Sequence, residues 1–110
     1  MKKRIVFLSD CPVHRSMTIL GTKWKPVIIW ALRERTMRFG QLAASLDTIS
    51  RKVLSTTLRQ LEHDGILYRN QTSDEGAAHI DYSLTQKGKE LIPLMLNLVE
   101  WDTKYYYSQN

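Results

Sequence analysis

Residues 50–65 read SRKVLSTTLRQLEHDG, and the fold turns on which surfaces of this stretch are built to be covered. At helical spacing, Leu54, Leu58 and Leu61 form one apolar stripe. The opposite side carries Lys52, Thr56, Arg59 and His63, flanked by Arg51, Ser55 and Gln60. Ser50 is placed to cap the helix, and Gly65 to end it in a left-handed conformation. Between positions 51 and 60 the polar side holds no acid, and Glu62 and Asp64 come only in the last turn. A helix that enters a major groove, about 12 Å wide, packs one stripe on its own domain and offers donors on the other. Acids on that second side would repel phosphates. The stretch meets both demands, but so do amphipathic helices whose basic face is merely solvated.

The neighbouring elements decide between the two readings. Upstream, FGQLAASLD (39–47) reads as a brief helix with Leu42, Ala43 and Leu46 inward, followed by the turn Asp47–Ile49. MRF (37–39) is too short for more than a sheet edge. Downstream, ILYRN (66–70) and HIDYSLT (79–85) are strand-like, rich in β-branched and aromatic residues. The connecting QTSDEGAA (71–78) is polar, with Gly76 as its turn residue, so the pair reads as a β-hairpin. Two short helices joined by a tight turn, with a hairpin directly after the second, make a winged helix-turn-helix.

Further out, a short apolar helix is expected from Ser16 to about Leu20, closed by Gly21. TKWKPVIIWALRER (22–35) reads as a core helix capped by Thr22, with Pro26 in its first turn. Thr85 is expected to cap a last helix that runs to about Tyr105–Tyr107 and bends at Pro93. Along that helix Leu91, Leu94, Met95, Leu98, Trp101 and Tyr105 share a face, while Ile92, Leu96 and Val99 add apolar surface elsewhere. One stripe suffices for a surface helix, so the excess points to a second copy of the chain, with RIVFL (4–8) also taking part. The expected fold is mainly α with a small β-hairpin: a single winged helix-turn-helix domain over residues 1–110, dimerising through about 1–20 and 86–107.

Composition agrees with one ordinary domain, since 110 residues at 43% hydrophobic and 25% charged suffice for a single core. The net charge of +5 is uneven. Residues 1–70 hold 13 Lys and Arg against 5 Asp and Glu, whereas residues 71–110 hold 3 against 6. A basic front and an acidic back suit an anionic partner on one face, with nucleic acid the usual candidate. No apolar run approaches the roughly 18 residues that span a bilayer. MKKRIVFLSD opens like a secretory signal, but its apolar run is only Ile5–Leu8 and no small-residue cleavage site follows. A single cysteine, Cys11, excludes an intramolecular disulfide and fits a reducing cytoplasm.

The candidate DNA contacts follow from these placements. Lys52, Ser55, Thr56 and Arg59 are expected at or near base edges, and Ser50 and Arg51 at backbone phosphates by the helix N-terminus. Arg38 and Gln41 begin the preceding helix and would clamp the flanking strand. The hairpin tip holds Asp74 and Glu75, so its contacts fall to Arg69 and His79 on the strands. Cys11 and His14 make a C-x-x-H pair, but a zinc site needs four ligands and neither His63 nor His79 has a ligand-spaced partner, so no metal and no cofactor is expected. No phosphate-binding glycine loop, G-x-S-x-G or H-E-x-x-H is present. Asp10 and Asp81 have no evident carboxylate chemistry or partner, and an enzyme is not expected. The remaining alternative is a winged-helix module that binds protein or RNA without reading an operator.

Three separate stretches resemble the HxlR-type transcriptional regulators, a winged-helix group related to the MarR-type regulators. CPVHRSMTILGTKWKPVIIWAL (11–32) is similar to the opening motif, a Cys-Pro, an apolar helix, a glycine turn and Lys-Trp. RFGQLAASLDTISRKVLSTTLRQLEHDGILYR (38–69) follows the central run, and IDYSLTQKGKELIPLMLNLVEW (80–101) the closing one. The resemblance implies a homodimer on near-palindromic double-stranded DNA, with N- and C-terminal helices at the dimer interface. A repressor is the expected role. Cys11 matches a cysteine that some members use to sense electrophiles or oxidants, and such a role suits a thiol beside a helix start, His14, Arg15 and Lys2–Arg4. Two departures stand out. Thr22 replaces a second glycine, and Ala77-Ala78-His79 replaces a Pro-Pro-Arg at the end of the wing. Histidine, when neutral, is the weaker phosphate partner.

Overall fold

A computed structural model of the chain describes residues 10–46, 48–74 and 77–108. Its elements run α1 (Pro12–Leu20), α2 (Lys25–Ala31), β1 (Met37–Arg38), α3 (Phe39–Ser45), α4 (Arg51–His63), β2 (Leu67–Asp74), β3 (Ala77–Leu84), α5 (Gln86–Lys89) and α6 (Leu91–Ser108). This is the winged helix-turn-helix read from the sequence, with α3 and α4 as the helix pair and β2–β3 as the wing. Asp47 of the first turn, Glu75 and Gly76 of the second, and Arg4–Leu8 lie outside the described residues.

Helix α1 starts a turn earlier than expected, because Pro12 stands at a first helical position, where its missing N–H is no loss. Ser16 is therefore internal, its hydroxyl donating to Pro12 O at 2.7 Å. Thr22 does not cap α2. Its hydroxyl instead donates to Ile19 O at 3.2 Å, at the end of α1, and Trp24 precedes α2 without a side-chain cap. Helix α2 also ends at Ala31, short of Arg35, where Leu32 N–H donates back to the carbonyls of Ile28 and Ile29. Even so, α2 lies at the centre, with Ile28 and Ile29 fully buried beside Leu42, Leu54, Leu58, Leu61 and Ile66.

The end of α4 shows why one glycine is required. Gly65 takes φ +75°, a region that costs an L-residue about 1–2 kcal/mol. In that conformation Gly65 N–H donates to Glu62 O at 3.0 Å and Ile66 N–H to Leu61 O at 2.9 Å. These are the two bonds of a Schellman cap, which turns the chain from helix into strand β2. Thr57, which the apolar stripe left out, is also buried, and its hydroxyl donates to Val53 O at 2.7 Å. Among the described residues no buried side-chain polar atom lacks a partner.

The sheet is antiparallel with order β1–β3–β2. The edge pair Met37–Arg38 lies opposite Tyr82 and Asp81. The hairpin is longer than its sequence suggests: the stretch expected as a loop continues the ladder through Gln71–Ile80, Thr72–His79, Ser73–Ala78 and Asp74–Ala77. Ladder bonds come from the backbone, so polar side chains here signal exposure and not a break in the strand.

The last helix is likewise corrected. Thr85 caps only α5, accepting from Gly88 N–H at 3.1 Å, and the chain breaks at Glu90 before α6 begins. Pro93 cannot donate to Lys89 O, and its ring crowds that carbonyl, so the helix is interrupted upstream and Pro93 falls in the first turn of α6. The Thr85 hydroxyl also donates to Gly65 O at 2.6 Å, tying α5 to the end of α4. A Cβ on Gly88 would lie 2.5 Å from Ile66 O, so this crossing requires glycine. No helix among the described residues is long and apolar enough to cross a membrane.

Candidate nucleic-acid interface

Helix α4 presents the surface its sequence suggests. Ser50 caps it, with Oγ accepting from Val53 N–H at 3.1 Å. Leu54, Leu58 and Leu61 are buried, while Arg51, Lys52, Thr56, Arg59 and Gln60 are exposed and Ser55 is half-buried. Arg59 Nη1 donates to Ser55 Oγ at 3.3 Å, which orients the guanidinium along the helix. Arg51 stacks over the ring of Phe39 at 5.1 Å, joining the first turn of α4 to the start of α3. Arg38 adjoins that ring in sequence, and its N–H donates to Gln41 Oε1 at 2.9 Å. Gln41 thus closes the first turn of α3 with its carbonyl.

The two wing residues occupy different faces of the sheet. Arg69 is opposite Tyr82 and lines an open cavity of about 390 Å³ with Ser55, Arg59, Glu62 and Tyr82, so it stands beside α4. His79 faces the other way, on the same side of the pleat as Asp81. There Arg38 Nε lies 3.8 Å from Asp81 Oδ1, and His79 Nε2 lies 3.4 Å from Asp81 Oδ2. The structure therefore corrects the view of Asp81 as a carboxylate without a partner. Its link to His79 was legible in the i, i+2 strand spacing, whereas its link to Arg38 depends on the β1–β3 register.

The acidic end of α4 is also occupied from within. Lys25 Nζ lies 3.6 Å from Asp64 Oδ2 and donates to Thr18 O at 3.3 Å, connecting the end of α4 to α1. Lys87 Nζ donates to Asp64 O at 2.8 Å from the opposite side. Neither lysine was singled out by the sequence, since both bonds cross elements. Lys25, Thr56, Arg59, Gln60, His63 and Asp64 line an open cavity of about 350 Å³ at this end.

Cys11 is a free, half-buried cysteine at the N-cap of α1, in extended backbone, and its carbonyl accepts from Arg15 N–H at 3.0 Å. His14 and Arg15 are exposed in the first turn beyond it. Among the described residues no three His, Cys, Asp or Glu side chains are grouped to hold a metal ion.

Comparisons with known proteins place this surface in context. The sequence pattern of the HxlR-like helix-turn-helix family matches residues 19–110. An uncharacterized HTH-type transcriptional regulator of Halalkalibacterium halodurans is 36% identical over 104 residues, covering 94% of this chain and 91% of that protein. A solved structure from Porphyromonas gingivalis, described as a MarR-family regulator, is similar with a TM-score of 0.81 at 28% identity, over 93% of this chain and 99% of that one. The redox regulator HypR in its oxidized form gives a TM-score of 0.78 at 31% identity, over 86% of this chain and 96% of the other.

Proposed function

This chain belongs to the HxlR-like helix-turn-helix family of transcriptional regulators, which are DNA-binding proteins and not enzymes, and from that premise we propose that it is a homodimeric repressor of a near-palindromic operator. Helix α4 enters the major groove by its N-terminal end. Lys52, Ser55, Thr56 and Arg59 meet base edges there, while Ser50 and Arg51 hold phosphates. Arg38 and Gln41 clamp the flanking strand, and Arg69 and His79 contribute from the wing. The observation that carries this reading is the exposed side of α4, free of acid from Arg51 to Gln60 and flanked by cations of other elements. Dimerisation places two such helices one DNA turn apart, about 34 Å.

An electrophoretic shift with the DNA upstream of its own gene tests the assignment. A sequence-dependent complex that weakens steeply with salt is expected. Binding to RNA or protein with no preference among duplexes would favour the alternative, a winged-helix module without an operator.

Cys11 is the sensor in this reading, supported by its place at the start of α1 and by the likeness to a redox regulator. With one thiol per chain, diamide would take two electrons and two protons from two thiols, either two Cys11 groups or Cys11 and a small thiol, leaving a disulfide. A quinone would instead add the Cys11 thiolate at a ring carbon and become a substituted hydroquinone. Either agent is expected to release DNA from the parent but not from Cys11→Ser. Equal release from both proteins would remove Cys11 from the mechanism.

A further inference from the structure

We propose that Asp81 sets the affinity of this protein for the DNA backbone by competing with phosphate for Arg38 and His79. The inference rests on the assignment of those two residues as DNA contacts. It begins from an anomaly. On the outer face of the sheet, one carboxylate stands between two of the candidate phosphate ligands and uses both of its oxygens on them. Oδ1 is 3.8 Å from Arg38 Nε and Oδ2 is 3.4 Å from His79 Nε2. Neither pair is a tight charge-assisted hydrogen bond, which would be about 2.7–2.9 Å. The Arg38 side chain is 58% exposed and that of Asp81 26%. The Arg38 end of this cluster is open enough to exchange partners, because ion pairs that reach water are worth little, whereas His79, 18% exposed, is held more closely.

The placement follows from the fold. Asp81 and His79 share the outward side of β3, and β1 delivers Arg38 directly opposite Asp81. A phosphate arriving at Arg38 shares the guanidinium with the carboxylate or displaces it, and in either case sits beside its negative charge. This penalty is independent of base sequence, since every duplex offers the same phosphates. Asp81 therefore lowers operator and non-specific affinity by one common factor, while Arg69 lies on the other face of the sheet.

The test is Asp81→Asn, nearly equal in shape and without the charge, measured on a short random-sequence duplex and on the DNA upstream of the gene across a salt series. Both duplexes are expected to bind tighter by the same factor, roughly threefold to fivefold, the scale of one exposed ion pair. The slope of log affinity against log salt should steepen by about 0.9 for each phosphate regained. Asp81→Glu should behave as the parent, and Asp81→Ser should repeat the effect of Asn in a second side chain. Unchanged or weaker binding by both charge-removing variants, with parental unfolding curves, overturns the proposal. In an Arg38→Gln/His79→Gln background, Asp81→Asn should change nothing, and a persisting gain would show that the carboxylate acts on other groups. If that double variant itself binds as the parent does, the assignment of Arg38 and His79 fails. If it binds weakly while Asp81→Asn is neutral, only the proposal about Asp81 fails.

Discussion

Arg59 and Lys52, both exposed on α4 and proposed as base contacts, would approach DNA differently prepared. The Arg59 guanidinium already leans on Ser55 Oγ one turn back, an i, i+4 pair legible in the sequence. Its planar fork can meet O6 and N7 of guanine together, and a side chain held in place loses less entropy on doing so. Replacing either residue with alanine is expected to cost about 1–3 kcal/mol of operator binding and to relax the preference at one base position. Shift titrations on single-base variants of the operator would read this out. If both variants bound with parental affinity and preference, the recognition face would lie elsewhere. At the same scale, the pairing of Lys25 with Asp64 was not legible, because nothing within a few residues of either announces the other.

Among elements, the junction from α4 to β2 is where local chemistry and packing coincide. Gly65 supplies the left-handed turn, and Thr85 from the far end of the wing donates to the Gly65 carbonyl. Gly65→Ala is expected to lower stability by about 1–2 kcal/mol in urea unfolding, and to leave the base preference of α4 intact. An unchanged midpoint would mean that the turn tolerates a side chain at φ +75°. The wing and the last helix show the limit of local reading. Strands β2 and β3 run through the polar stretch because backbone pairing is indifferent to side-chain polarity, and α5 and α6 separate at Glu90 because proline acts one turn upstream of itself.

For the molecule as a whole, α6 is the feature that the described residues do not fully explain. Its 18 residues extend about 27 Å, yet among the described residues only Met95 on it is buried. Leu98 is 53% exposed and Trp101 64%, with Leu94, Leu96 and Val99 also open. The radius of gyration, 16.8 Å, exceeds the roughly 13 Å of a compact domain of this size, as a projecting helix requires. The proposed second copy, covering this helix, would account for the open apolar surface. Leu98→Asp is therefore expected to sediment as a monomer and to lose operator affinity by about a hundredfold or more, because the two half-sites no longer bind together. Retained dimers in this variant, with parental affinity, would place the interface away from α6.

By itself the sequence determined the order of elements as far as the end of the wing, the two faces of α4, its serine cap and its glycine stop. Each of these depends on residues within one or two helical turns, where spacing along the chain fixes spacing in three dimensions. Tertiary structure alone decided that Asp81 stands between Arg38 and His79, and that Lys25 and Lys87 hold the end of α4. Those outcomes depend on strand register and on how distant helices pack. Both are set by the cooperative burial of the whole core, not by the neighbours of any one residue.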